Sequence, residues 1–160
     1  MESWNDVAGG KIAPQLDAYI SRKSNEHVGA FGWFVTNQYW SEAYAGVQLY
    51  PKKWMTVDVG AGLETDKNPW RLGGVVWIGN DKQSLLTILE MGGSGFWWRS
   101  TYNRAAGKRF GLGAMGQAQR GVGPRVQFTI PKTPIVLWTA PFFNWNGKPT
   151  QAFGIIYNFN

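Results

Sequence analysis

From Met55 to Glu64 the chain alternates strictly. Met55, Val57, Val59, Ala61 and Leu63 fall on one parity, and Thr56, Asp58, Gly60, Gly62 and Glu64 fall on the other. Successive side chains point to opposite faces of a β-strand, so this segment is a ribbon with one apolar face and one polar, glycine-containing face. The same two-residue beat returns roughly every 14 residues. Nowhere does an apolar stripe of helical spacing run for three turns without glycine, proline or β-branched interruption. The pattern predicts eleven strands, at about 11–22, 27–36, 39–50, 54–65, 69–79, 83–91, 95–105, 108–119, 124–131, 134–145 and 150–159.

Short turn sequences separate the segments, among them Asn37-Gln38, Gly79-Asn80-Asp81 and Asn146-Gly147-Lys148. Strands joined this tightly are antiparallel neighbours. A Greek-key sandwich needs some long crossing connections, and none is visible. The expected fold is therefore all-β, an antiparallel up-and-down barrel whose closure removes exposed edges. Single-chain bacterial membrane barrels have even strand numbers, so the count is ten or twelve. Residues 1–10 form an N-terminal segment that is either irregular or supplies a twelfth strand around Trp4 to Ala8, ahead of a single barrel domain over 11–160. The alternative of ten removes the weak segment 83–91.

The two faces decide the environment. The polar face carries Gln15, Asp17, Glu42, Gln48, Asp58, Arg71, Arg99, Thr101, Gln117, Arg125 and Gln127, with several glycines. A water-facing sheet favours long lysines, yet Lys52, Lys53, Lys67, Lys82, Lys108, Lys132 and Lys148 all sit in or beside turns. The opposite face collects aliphatics such as Ile12, Leu16, Ile20, Val47, Leu72, Val76 and Leu112. A soluble barrel would turn those aliphatics inward, whereas a membrane barrel turns them outward against acyl chains. The strands average near ten residues, the span of a tilted membrane strand, while soluble strands run nearer five or six. Membrane spanning is the expected state, and a soluble calycin-like barrel with an apolar ligand inside is the alternative.

Trp and Tyr favour the membrane interface, where a ring is half in hydrocarbon and half hydrogen-bonded. Trp40, Tyr50, Trp54, Trp70, Trp97, Trp98, Trp145, Tyr157 and Phe159 all lie near predicted strand ends and are expected to form interface girdles. Trp33, Trp77 and Trp138 do not.

At 160 residues, the chain accommodates one ordinary domain. Only 16% of residues are charged, below the roughly 25% of a typical soluble domain. The formal charge of +6 suits nucleic acid or anionic lipid head groups equally and does not choose between them. The absence of cysteine removes disulfides, thiolate nucleophiles and thiolate metal sites. The first ten residues lack the basic start and apolar core of a signal peptide, so an exported protein is expected here in its mature form.

The last strand, Gly154-Ile155-Ile156-Tyr157-Asn158-Phe159, resembles the terminal strand motif of bacterial outer-membrane β-barrel proteins. Gly154, Tyr157 and Phe159 occupy the matching places. Ala152 stands where a polar residue is usual, and Asn160 follows the aromatic that normally ends such chains. The resemblance implies an outer-membrane location, recognition by the barrel-assembly machinery, contact with outer-membrane lipid and closure of the barrel against the first strand.

Candidate chemistry is sparse. His27 beside Glu26 is the only histidine and the one weak candidate for catalysis; a lone histidine at a turn reads first as a solvated loop residue. There is no His pair, no Cys and no Asp-rich calcium loop, so no metal or other cofactor is expected. Basic residues dispersed among turns do not line one groove, so nucleic acid is not an expected partner. The polar face instead predicts a lumen network of Asp17, Glu42, Asp58, Glu64, Arg71, Arg99 and Arg125, with carboxylates (Glu90 among them) paired to arginines because an unpaired buried charge costs several kcal/mol. The expected function is an integral outer-membrane barrel. It is a structural barrel docking another envelope protein, or a narrow passive pore, with a lipid-modifying enzyme as alternative.

Overall fold

A computed structural model of the chain describes residues 1–8, 11–144 and 149–159. Its strands are β1 (Glu2–Ala8), β2 (Lys11–Lys23), β3 (Val28–Asn37), β4 (Ser41–Lys52), β5 (Met55–Glu64), β6 (Trp70–Gly79), β7 (Gln83–Gly92), β8 (Gly95–Ala105), β9 (Phe110–Gln117), β10 (Gly121–Thr129), β11 (Ile135–Phe143) and β12 (Pro149–Tyr157). Each pairs antiparallel with its neighbours in sequence, and β1 pairs with β12 to close the barrel. The strand number is twelve. The open question at the N-terminus resolves toward the strand: Glu2–Ala8 is not an irregular segment but is paired on both edges. The weak segment 83–91 is the strand β7.

Predicted boundaries lie within three residues of the observed ones. The largest offset is at β10, which starts at Gly121 instead of 124. Gly121 has φ +92, a conformation costly for other residues, and it turns the chain directly from the Gln117–Arg120 turn into the strand.

The apolar face points outward. Val59 is 60% exposed and Leu112 52%, while Asp58 and Arg71 are each 3% exposed. Leu16, Val47, Leu63, Leu72 and Leu89 complete a band of exposed aliphatics around the cylinder. A contiguous apolar belt of this extent is incompatible with a monomer in water and suits contact with acyl chains. The soluble calycin-like alternative needs these side chains inside and is overturned.

The interior adds apolar rings to the hydrogen-bonded polar groups. One buried cluster joins Phe31, Trp33, Val35, Tyr44 and Ile88, and a second joins Met115, Trp138, Ala140, Phe142 and Ala152. Inward glycines make space for these rings. A Cβ on Gly73 would stand 2.8 Å from Tyr44 Cε1, and one on Gly60 would stand 2.8 Å from Phe31 Cζ. The twelve-stranded wall thus encloses a filled core in which charges and aromatic rings share the space.

Candidate functional site in the barrel lumen

Two arginines organise the lumen. Arg71 points inward from β6, opposite in parity to Trp70 and Leu72. Its Nη2 donates to Glu90 Oε2 at 2.6 Å, and its Nε lies 3.4 Å from Glu42 Oε2 and 3.7 Å from Glu64 Oε2. Nε also donates to the Tyr44 hydroxyl at 3.0 Å, and that hydroxyl donates to Glu42 Oε2 at 2.8 Å. Nη1 donates to Ser94 Oγ and to the Gly95 carbonyl, each at 3.0 Å, which ties the β7–β8 turn to the lumen. Glu64 accepts from the Ser94 amide at 2.9 Å, from its hydroxyl at 2.7 Å and from Trp40 Nε1 at 3.2 Å. Every nitrogen of the guanidinium fork thus donates to at least one acceptor, the arrangement that makes a buried ion pair tolerable.

Arg99, on β8, forms the second centre. Its Nη2 lies 3.3 Å from Asp17 Oδ2 and 3.5 Å from Glu2 Oε2. Asp17 accepts from Trp33 Nε1 at 2.5 Å through its other oxygen. This group spans the lumen from β1 and β2 through β3 to β8. On one side lies a chamber of about 350 Å³ bounded by Tyr19, Gln48, Thr56, Asp58, Trp77 and Leu86. On the other lies a chamber of about 300 Å³ bounded by Trp40, Glu42, Arg71, Ser94, Trp97 and Arg120. Asp17, Trp33 and Arg99 line both. They form a septum of side chains between two vestibules.

All seven expected network residues, Asp17, Glu42, Asp58, Glu64, Arg71, Arg99 and Arg125, are buried and face the lumen. The expected pairing of carboxylates with arginines holds for Arg71 and Arg99 and needs correction at two places. Asp58 accepts from the Tyr19 hydroxyl at 2.8 Å instead of pairing with an arginine. Arg125 donates from Nη1 to Asn103 Oδ1 and Gln127 Oε1, each at 2.6 Å, and lies 5.0 Å from the Trp138 ring centroid. Asp58 lies four residues along β5 from Gly62, the cross-strand partner of Arg71, and Arg125 stands on β10, five strands around the wall from Asp58. Sequence reasoning missed Glu2, whose strand lay in the unassigned N-terminal segment.

The girdle assignment divides. Trp54 and Trp70 are exposed on the outer wall, Trp98 packs outward over Gly116, and Tyr157 packs against Phe159 at the chain end with ring centroids 4.6 Å apart. Trp40 and Trp97 are corrections: both line the lumen chamber and pack against the Phe31–Trp33 cluster. Tyr50 is another, since its hydroxyl donates inward to Gln48 Oε1. Trp145 lies outside the described residues.

Charge is distributed unevenly between the two rims. The end that carries Met1 and Tyr157 bears Arg22, Lys23, Lys52, Lys53, Lys82, Arg104, Lys108, Arg109 and Lys132 in its turns and strand ends, against Glu26 and Asp81. The turns at the other end hold Asp66, Lys67 and Arg120 among the described residues. His27 sits in the β2–β3 turn with Nε2 3.4 Å from Glu26 Oε1, both side chains more than three-quarters exposed. No serine or threonine hydroxyl bonds its ring among the described residues. Those residues also contain no cluster of three or more candidate metal ligands.

A closed twelve-stranded antiparallel wall with an apolar exterior and a charged interior is the fold of outer-membrane β-barrel proteins. The chain is similar in structure to the KdgM porin, with 12% identity and TM-score 0.65 over 99% of this chain and 98% of that one. It is similar to the NanC porin, with 10% identity and TM-score 0.63 over 99% of each chain. It is also similar to outer membrane phospholipase A from Escherichia coli, with 8% identity and TM-score 0.62 over 96% of this chain and 86% of that one. No protein-family model and no curated protein sequence matches it.

Proposed function

We propose that this chain is a narrow passive pore of a bacterial outer membrane, whose passage is restricted by the Asp17–Trp33–Arg99 septum. The observation that carries the reading is the pair of lumen chambers, about 350 and 300 Å³, that meet at those three side chains. Among the described residues the division is made by side chains and not by an inserted loop or helix. Rotation of a few χ angles therefore changes the cross-section without disturbing the wall. The porin structures that share the fold support the reading, and so does the signal-like last strand with its implied location.

The test is conductance of the purified barrel in a planar bilayer. Small, uniform current steps are expected from the wild type, and larger ones from Trp33→Ala, which removes the largest side chain of the septum. Silence in both would overturn the pore and favour the docking barrel, for which the filled lumen provides a rigid cylinder. The enzyme reading gains nothing from the placement of His27.

A further inference from the structure

We propose that the outer wall between the β4–β5 turn and β8 binds one anionic phospholipid at the basic rim. A groove of about 280 Å³ runs there, lined by Trp54, Ile78, Asn80, Gln83, Leu85 and Tyr102. Ile78, Leu85 and Tyr102 are cross-strand neighbours on one face, so they make a continuous apolar floor with an aromatic side. Trp54, 52% exposed, forms the other side. One step nearer the rim, Gln83 pairs with Arg104, an exposed residue in register beside the polar end of the groove. Tyr102 donates to Gln83 Oε1 at 3.1 Å and so holds the Gln83 amide in place with its NH₂ still able to donate.

The site grades from hydrocarbon floor through aromatic walls to amide and cation within a few residues. That sequence of chemistries matches an amphiphile lying along the wall, with rings at the level where chain meets head group. The cations make the head group anionic. Arg104 and Lys82 have no ion-pair partner among the described residues, Asp81 included. A guanidinium left free beside an amide donor is suited to a phosphodiester, which it engages through two parallel N–H bonds. The charge excess of the whole rim adds attraction to an anionic leaflet. The floor spans three strands, about 10 Å at the ~4.8 Å strand spacing, which fits one diacyl lipid and is narrow for the multi-chain base of lipopolysaccharide. The inference rests on the wall facing lipid and is independent of whether the lumen conducts.

Native mass spectrometry of the detergent-purified barrel, offered phosphatidylglycerol, phosphatidylcholine or lipopolysaccharide separately, tests it. One phosphatidylglycerol is expected to be retained per barrel, at least fivefold over phosphatidylcholine, with Arg104→Gln reducing it to the phosphatidylcholine level. Arg22→Gln, six strands away on the same rim, is expected to leave retention unchanged. Equal retention of the two phospholipids overturns the proposal, as does an equal loss in Arg22→Gln, or preferential retention of lipopolysaccharide. Arg104 is exposed, and circular dichroism of each variant verifies that the barrel is intact.

Discussion

Arg71 Nη2 lies 2.6 Å from Glu90 Oε2 with both side chains 2% exposed, and the same guanidinium faces Glu42 and Glu64. One cation thus serves three carboxylates carried by β4, β5 and β7. Removing it leaves those buried carboxylates facing one another without a counter-charge. Arg71→Met is expected to destabilise the barrel by about 3–5 kcal/mol, the usual cost of breaking a buried pair from one side. Urea unfolding in detergent micelles reads this directly. Loss below ~1 kcal/mol would mean that water reaches the cluster.

Gly73 and Tyr44 make a separate, steric prediction. The three atoms nearest a Cβ at Gly73 all belong to the Tyr44 ring. Gly73→Ala is expected to cost about 1–3 kcal/mol by overpacking. In a Tyr44→Ala background the same substitution is expected to cost close to nothing. A double-mutant cycle measures the coupling, and additive costs would show that the ring moves aside freely.

Val59 lies midway along β5 on the outer wall. If that wall meets hydrocarbon, Val59→Arg costs about 2–4 kcal/mol in lipid vesicles, the penalty for a cation near the bilayer midplane. Folding titrations in vesicles report it. A neutral result would place this surface in water.

The His27 side chain is exposed and reaches only Glu26, while its amide donates to Asn25 Oδ1 and its carbonyl accepts from the Tyr50 amide at 2.9 Å. His27→Ala is expected to change stability by no more than about 0.5 kcal/mol, as for other surface sites. Incubation with lipopolysaccharide or phospholipid should release no acyl chains from either form. Release by the wild type that disappears in the variant would reinstate catalysis.

Parity made most of the wall legible before any coordinates. Asp17, Glu42, Asp58, Arg71, Arg99 and Arg125 share faces with other polar or glycine residues, and the register places them inward. Their partners were less legible, because the angle between two strands around a cylinder depends on closure and strand number. The aromatic residues show a second limit. Distance from a strand end says nothing about which face a ring occupies, yet parity does: Trp40 shares parity with Glu42, Tyr50 with Gln48, and Trp97 with Arg99, and all three face inward. Trp70 and Trp98 are out of phase with Arg71 and Arg99 and face outward. The aromatic filling of the lumen by β3 and β11 was hidden because both parities of those segments are apolar. A short first strand bounded by two glycines likewise offers little periodicity to read.

Eleven of the twelve ladders join segments adjacent in the chain, and only the seam between Glu2–Ala8 and Pro149–Tyr157 joins its extremities. Hairpins can therefore accumulate one after another at little entropic cost, whereas the final zip must gather ends separated by nearly the whole polypeptide. Until that moment the growing sheet has two bare margins of amides and carbonyls inside a medium that offers them no water. The seam is consequently the step at which an escort protein has most to contribute, and a lesion there should stall assembly while sparing every local hairpin.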